Sequence, residues 1–401
     1  MDVGKDLIWL QNDSDAVHRF LEEKRRQGKT EARGLPRIER YLFSVWAKKQ
    51  GFQDYMYRNW LRGLKEDNRL PSTTREEKRW AHSHGFYSYR IKQYGLTEEN
   101  YRTVLSDYDY KRLRPINGYY QKWLWDKIFM YHIMAPYQSF LPRHYYRVVP
   151  TECGNQIFSF DLGAPLPAKM DDVIALLREK KILVAKPSVG SHGNGFSKVE
   201  WQEDTGTIAI NGQAYTEEEF RTYVMTLDKS YFLSEYVQMH SDLRRIYNDV
   251  VDTVRIMVID IGDKPKVESA FFRIGSSHTG NTDNLDTGGI VARVDVETGR
   301  FGNTEMLMNH VYQPCSVHPD SGAPLEGVLP HWGEIKASVS DIAAYLYPLE
   351  YLGFDIVITQ DGFRILEINT HQDLHRYPEY PQEVKDYFAR KLALKGDKDN
   401  G

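Results

Sequence analysis

Two cysteines, Cys153 and Cys315, are all that the 401 residues contain. That is too few for a disulfide framework, and neither has partners at zinc-finger spacing. The plain expectation is two separate buried thiols in a reducing cytoplasm. Long apolar runs are missing as well. None reaches transmembrane length, and the first residues include Asp2, Lys5 and Asp6 in place of an apolar secretory segment. A cytoplasmic protein is the expectation. Charge of one sign is also lacking: the formal net charge is −4, so wholesale binding to nucleic acid or to an anionic membrane gets no support. There is no internal repeat and no low-complexity segment. What remains is the balance of a globular protein, 41% hydrophobic and 27% charged, long enough for two or three domains. Aromatics are plentiful, at 13% with 27 tyrosines, which suits both core packing and the binding of a polar ligand.

The first stretch of the chain reads as helical. Asp15 to Arg26 is charged and amphipathic, and Ile38 to Lys49 carries apolar residues at helical spacing. Ser72-Thr73-Thr74 ahead of Glu76 and Glu77 looks like a capped helix start, and Thr97-Glu98-Glu99 looks like a second. Pro115, Asn117 and Gly118 break the chain before another helical stretch, Trp123 to Met134. From about residue 140 short β-rich runs take over. They fall at Tyr145–Val149, Ile182–Ala185, Tyr231–Leu233, Asp252–Asp260, Val267–Ile274, Gly289–Val294, Phe354–Thr359 and Phe363–Ile368. Helical patterns lie between them at Asp171–Lys180, Thr216–Thr226 and Trp332–Tyr347. Strands mixed with helices, some pairs close in sequence, predict α+β layers with antiparallel sheet. Asp361-Gly362 between two apolar runs is a hairpin signal.

Three segments carry candidate chemistry. In Ile182-Leu-Val-Ala-Lys-Pro-Ser-Val-Gly-Ser-His-Gly-Asn-Gly-Phe196 a strand ends on Lys186, and Ser188, Gly190, Ser191, Gly193 and Gly195 follow. Backbone N–H groups of such a loop can turn toward phosphate oxygens while the lysine supplies charge. The segment is neither a P-loop nor a dinucleotide fingerprint, since the lysine precedes the glycines. Taken alone it also fits a flexible hairpin with a solvated lysine. In the second segment, Tyr351 to Asn369, strand alternation turns Glu367 and Asn369 to one face and Leu366 and Ile368 to the other. Asp355, on the other strand of the hairpin, reaches the face of Glu367. Two carboxylates and an amide oxygen make a hard, all-oxygen set suited to Mg²⁺ bridged to phosphates. A solvated polar sheet face would read similarly, but Glu and Asn are poor strand formers among such apolar neighbours. The third segment, Tyr231 to His240, is an apolar strand leading to Glu235 and Val237. It fits a hinge that reads a base edge, and equally a buried strand with one polar exit.

Lys186, Glu235, Asp355, Glu367 and Asn369, in that order, resemble the ATP-grasp superfamily. Further motifs narrow this. Asp126-Lys127, Val237-Gln-Met-His240, Asp252-Thr-Val-Arg255, Arg273-Ile-Gly275, Asp283-Asn-Leu-Asp-Thr-Gly-Gly-Ile290, Asp295, Thr298-Gly299, His318-Pro-Asp-Ser-Gly322 and Gly327-Val-Leu-Pro330 follow one another. The succession is similar to the sugar-transfer-associated ATP-grasp family, often encoded with polysaccharide biosynthesis enzymes. It covers roughly residues 95 to 385.

The resemblance implies an α+β ATP-grasp fold, two subdomains sandwiching ATP, preceded by a mainly helical N-terminal region. The domain expectation is 1–120 for the helical region, 121–236 for a small ATP-grasp subdomain with the glycine-rich loop, and 237–395 for a large subdomain with the metal site. Lys127 and Lys186 would contact phosphates under the loop of Ser188, Gly190, Ser191, Gly193 and Gly195. Glu235, Tyr236 and Val237 would form the adenine hinge, with His240 or Asp242 reaching the ribose. Asp355, Glu367 and Asn369 would hold one or two Mg²⁺ ions, and Arg255 would steady the transferred phosphate. Arg273 with Asp283, Asn284, Gly288 and Gly289 would face the second substrate, although the two glycines suit a tight turn as well. Thr370-His-Gln-Asp-Leu-His375 departs from the continuation usual in the family, so His371, Asp373 or His375 would contact the acceptor; each histidine alone also fits surface solvation. The implied activity is a carboxylate–amine ligase forming a carbon–nitrogen bond through an acyl phosphate and releasing ADP and phosphate. Its partners would be a small-molecule or glycan-precursor carboxylate and an amine. The alternatives are a kinase acting on a hydroxyl group and a non-catalytic carbohydrate-binding protein. Residues 1 to about 95 lie outside the resemblance and fit a helical cap packing its aromatics inward, or a carbohydrate-facing platform.

Overall fold

The computed structural model describes residues 54–114, 116–161, 163–190, 195–262, 264–308 and 311–397, with 45, 47, 48, 51, 52 and 193 besides. The helix expected at Asp15–Arg26 lies outside the described residues, as does most of Ile38–Lys49, of which Val45, Ala47 and Lys48 are helical. The chain divides into two compact units. One takes residues 120–307 and 313–370, and the other takes the described residues before 120, those of 308–312, and those from 371 on. No helix among the described residues is long and apolar enough to cross a membrane.

The larger unit carries two antiparallel sheets. The first is built from β1 (His144–Val149), β2 (Gln156–Ser159), β3 (Ile182–Pro187), β4 (Ser197–Gln202), β5 (Thr207–Ile210), β6 (Gln213–Tyr215) and β7 (Tyr231–Glu235). Its order is β2-β1-β7-β3-β4-β5-β6. Helices Met170–Lys180 and Glu217–Met225 bury Val173, Ile174, Leu177, Phe220 and Val224 in the same apolar cluster as Leu183, Val199 and Ile208 of the strands. Thr216 starts the second helix by accepting from Glu219 N–H, while the Glu219 carboxylate reaches back to Thr216 N–H at 2.7 Å. A reciprocal cap of this kind satisfies two amides the helix cannot.

The second sheet comprises β8 (Thr253–Asp260), β9 (Pro265–Ile274), β10 (Ile290–Val294), β11 (Arg300–Met308), β12 (Val311–Pro314), β13 (Gly327–Val328), β14 (Tyr351–Thr359) and β15 (Gly362–Asn369). The order is β12-β11-β10-β9-β8-β14-β15, with β13 beside β11. Helix Trp332–Tyr345 buries Trp332, Ile335, Val339 and Ile342, a spacing of three and four that keeps one stripe facing inward. They share a core with Ile256, Phe272, Ile290 and Phe354. Each such side chain removed from water contributes about 1.5–3 kcal/mol.

The smaller unit is helical in its early part. Thr74 caps helix Arg75–Ser83 in a reciprocal box with Glu77, as the sequence indicates. The second expected start fails. Thr97 N–H donates to Asn100 Oδ1 at 2.8 Å and Asn100 Nδ2 donates to Gly95 O at 2.8 Å. The segment closes into a turn and continues only as a 3₁₀ stretch, Tyr101–Thr103. Side-chain bonds to nearby backbone compete with helix here. In the larger unit the helix expected at Trp123–Met134 is 3₁₀ up to Leu124 and true helix only at Lys127–Ile133, where Asp126 accepts from Ile128 N–H and Phe129 N–H. The cysteine expectation is corrected too: Cys153 is exposed and Cys315 half-buried.

The hairpin at Asp361-Gly362 forms, joining β14 to β15. Its ladder is irregular, however. Asp355 faces Glu367 while Ile356 faces Ile365, so Leu366 is an extra residue on β15. Such a bulge breaks the two-residue alternation. Ile365 and Ile368 therefore enter the main core, whereas Leu366 packs with Val237, Met239 and Val357. The expectation that Leu366 shares a face with Ile368 is overturned.

Candidate active site

One face of the second sheet carries a file of charged and polar side chains. Alternation on β8 turns Thr253 and Arg255 one way while Val254 and Ile256 enter the core. Arg273 of β9 lies opposite Thr253, Asp355 of β14 opposite Arg255, and Glu367 of β15 opposite Asp355. The Arg255 guanidinium grips Asp355 through both carboxylate oxygens, Nε to Oδ1 and Nη2 to Oδ2 at 2.9 Å. Arg273 Nη2 lies 3.4 Å from the same Oδ2. Burial pushes the Asp355 carboxyl up, but the two arginines prevail and hold it below the usual carboxylate range. Arg273 also donates to Thr253 Oγ1 at 3.0 Å and lies 3.3 Å from Asp283 Oδ2. Asp283 accepts from Thr253 N–H at 3.0 Å and from its hydroxyl.

Asp283 is thereby bound to this file. Burial raises its pKa against the opposing pull of Arg273. The glycines after it have a local cause. Gly289 N–H donates to Asn284 O at 3.2 Å, and a Cβ on Gly289 would lie 2.8 Å from that oxygen. No side chain fits there, which accounts for Gly289 by turn closure alone. Gly288 beside it is in the positive-φ region, at 100°.

Two lysines approach from the other side. Lys127 follows the capping Asp126, and its N–H donates to Ser188 O at 2.9 Å. Its ammonium lies 3.4 Å from Glu367 Oε1 and donates to Gly190 O at 3.0 Å. Lys186, the end of β3, has its ammonium 5.5 Å from the centre of the Phe196 ring. Burial pushes Lys186 down to about 8, against the attraction of Glu367 and with the repulsion of Lys127. The structure thus brings Lys127, Lys186 and Glu367 into one electrostatic cluster. Ser188 is buried, with its N–H on Ser230 O at 2.8 Å. Ser191 lies outside the described residues. Gly193 has φ of 69°, and a Cβ there would meet the Thr282 methyl at 2.7 Å. Its lack of a side chain lets the glycine-rich loop lie against the loop that carries Asp283.

The hinge segment is tied down at both ends. Glu235 N–H donates to Arg143 O at 2.8 Å, and Arg143 N–H donates to Glu235 Oε2 at 3.1 Å. Lys198 sits 5.2 Å from the Tyr236 ring centre, and Val237 is buried beside Leu366. His240 caps the short helix Ser241–Arg244, accepting from Asp242 N–H at 3.2 Å, with Asp242 itself exposed.

A metal needs the right donors, and the residues present meet that need in part. The Glu367 carboxylate is partly exposed, with Lys127 on one oxygen. Asn369 has its Nδ2 buried with no hydrogen-bond partner. Half a turn of that amide would put an oxygen at the same point, which suits a hard cation. Asp355 is different: both oxygens are occupied by arginine. Among the described residues no group of three or more His, Cys, Asp or Glu is placed to hold a metal, so the amide oxygen is needed to complete any set.

His371 and Asp373 belong to the helical unit. His371 stacks on Tyr110 at 4.2 Å, and its Nε2 lies 3.0 Å from Tyr110 O. Burial and then Arg114 push it down to about 3. His375 is buried and Asp373 exposed. Surface solvation, expected for the two histidines singly, is corrected for both.

A pocket lies beside the lysines. Lys127, Lys186, Leu141, His144, Phe232 and Leu366 are among the residues that line it. They come from four separate segments, so no local motif announces them.

Residues 119–377, more than half of the chain, match the model of the sugar-transfer associated ATP-grasp family, and the chain belongs to that family. No curated protein matches it. Solved structures similar to this one include the ATP-grasp ligase PsnB complexed with minimal precursor, at 15% identity and TM-score 0.34, covering 69% of this chain. This chain spans 62% of the length of PsnB in that match. D-alanine–D-alanine ligase from Bacillus anthracis matches at 12% identity and TM-score 0.36, over 69% of this chain and 70% of that one. D-cycloserine synthetase DcsG matches at 15% identity and TM-score 0.35, over 68% and 71%.

Proposed function

We propose that this ATP-grasp protein is an ATP- and Mg²⁺-dependent carboxylate–amine ligase that works through an acyl phosphate. The observation that carries the reading is the convergence of Lys127 and Lys186 with Glu367, beside the file of Arg255, Arg273 and Asp355. Four cations meet three carboxylates there, counting Asp283. Such a site suits a polyanion that sheds one phosphoryl group. Lys127 and Lys186 would bind the phosphates, and Glu367 with Asn369 would hold the metal. Bound there, Mg²⁺ would neutralise charge on the phosphate oxygens.

The chain's own residues would then act by position. Asp355 holds both guanidiniums on one face, so their charge is in place before reaction and costs no reorganisation. A carboxylate oxygen of the substrate attacks the terminal phosphorus of ATP and ADP leaves. The amine then attacks the acyl carbon, phosphate departs, and the amine loses a proton. Both steps build negative charge on oxygen, where a single fixed donor contributes roughly 3–4 kcal/mol. Arg255 and Arg273 are the groups we assign to that charge. The substrates would be a sugar acid, amino acid or glycan precursor and an amine, within polysaccharide biosynthesis in the cytoplasm.

The test is ADP release from the purified chain against panels of carboxylic acids and amines. Release that requires both classes supports the ligase. A stable phosphorylated product with one hydroxyl substrate alone would replace it with a kinase. Absence of Mg²⁺-dependent ATP binding by calorimetry would remove the nucleotide reading altogether.

A further inference from the structure

His144, the first residue of β1, is 6% exposed and caged by aromatic rings. Tyr131 meets it edge-on with ring centres 4.1 Å apart, Phe232 does so at 4.4 Å, and Phe160 stacks at 5.3 Å. Its Nδ1 is buried and has no hydrogen-bond partner. An orphaned buried polar atom gives up its bond to water and gains none in exchange. A phenylalanine would fill the same cage without that cost, so the nitrogens need a partner that the chain itself does not supply. His144 lines the pocket beside Lys127 and Lys186, whose remaining walls include Leu141, Phe232, Ile365 and Leu366.

Which part of a nucleotide lies beside His144 follows from charge. The two ammonium groups suit the phosphates, and the apolar walls suit a flat ring. Burial, then Lys186 and His132, hold the imidazole down to about 3. It is therefore neutral at working pH and offers one N–H and one lone pair. That pattern matches the edge of a base and not a phosphate, which would favour a cation.

We infer that His144 is a base-contacting residue, its imidazole making a hydrogen bond to the edge of a purine ring seated in the pocket beside Lys186. This rests on the nucleotide reading of the site given above. The contact gives the base edge a chemical reader that the hinge segment, with Glu235 already tied to Arg143, does not provide through that side chain.

The experiment is calorimetric titration of the whole chain, with Mg²⁺ present, using ATP, 7-deaza-ATP and purine riboside triphosphate. The first analogue lacks the N7 acceptor and the second lacks the 6-amino group. Wild type should bind one of them about tenfold more weakly than ATP, the size of one lost hydrogen bond. His144→Phe should show the same loss on ATP and no further loss on that analogue. The free His144→Phe protein should melt no lower than wild type, which separates lost contact from lost folding. If wild type binds both analogues as tightly as ATP, the assignment is overturned without any variant. Equal losses by His144→Phe on all three nucleotides would overturn it as well. Failure of wild type to bind ATP at all would instead sink the nucleotide reading, and this inference with it.

Discussion

Arg255 and Asp355 lie directly opposite each other on neighbouring strands, one hundred residues apart in sequence, and are joined by a two-point guanidinium–carboxylate fork. Their side chains are 19% and 9% exposed, so the pair is largely removed from water. Removing Asp355 takes the carboxylate from between two guanidiniums, whereas removing Arg255 leaves Asp355 with Arg273 at 3.4 Å. Asp355→Ala should lower unfolding free energy by about 3 kcal/mol and Arg255→Ala by less. The double variant should lose less than the sum, because the second change relieves the charge left by the first. Urea denaturation of the three variants measures this, and additive losses would show that the fork contributes no coupling.

Glu367 and Asn369 are expected to hold the metal, so Glu367→Gln and Asn369→Ala should weaken it. Even indirect supports of a metal site lose roughly 10–100-fold in affinity when removed, and direct ligands should lose at least that. Mn²⁺ titration by electron paramagnetic resonance, with ATP present, reads the affinity without any acceptor substrate. Unchanged Mn²⁺ binding in both variants would remove them from the metal set.

Gly193 faces the methyl group of Thr282, with only 2.7 Å for a Cβ. Gly193→Ala therefore adds a clash to a positive-φ strain, itself on the order of 1 kcal/mol. Thr282→Ser removes the methyl that the new Cβ would meet. Thermal melting should show Gly193→Ala well below wild type and the double variant partly restored. No restoration would mean that backbone strain alone sets the loss.

Asp67 in the helical unit shows the acid sensitivity of the fold. Its Oδ2 lies 2.7 Å from His82 Nε2 and accepts from Ser88 N–H at 2.9 Å. Burial raises its pKa, but the hydrogen bonds from His82 and Ser88 outweigh it and the net shift is downward. A carboxyl depressed in the folded state stabilises above its unfolded pKa, and that stability is lost as pH falls through the folded pKa. Denaturation midpoints should therefore drop below about pH 4, the ordinary carboxylate range. Asp67→Asn should flatten that drop and lower stability at neutral pH. An unchanged acid limb in Asp67→Asn would show that other carboxyls govern it.

Much of the fold is legible in the sequence because its central strands are apolar and β-branched. Ile182–Ala185, Tyr231–Leu233 and Phe354–Thr359 fall inside observed strands, and Asp361-Gly362 makes the hairpin it signals. Strand β4 escapes because polar residues, Ser197, Lys198, Glu200 and Gln202, fill most of its positions, and β6 because three residues are too few to show a period. The Thr97 start misleads because Asn100 bends the backbone three residues later, a competition no helix period reveals. At the site, residue types and spacing nominate Lys186 and Glu367, and the family resemblance adds Lys127 and Arg255. Their pairing is not legible, since the partner of Asp355 depends on which strands lie side by side. His144 is less visible still: its significance is a missing partner, and only packing can show that.

The extra residue at Leu366 sets a rule for how this strand can change over evolutionary time. Loss of that one residue would restore a regular ladder with Glu367 still opposite Asp355 and Ile368 still on the core side. What it would remove is the Leu366 side chain from the apolar group of Val237, Met239 and Val357. The interval from the hairpin glycine to the carboxylate is thus open to a single-residue deletion at this point, and alignments of relatives should admit a one-residue gap here.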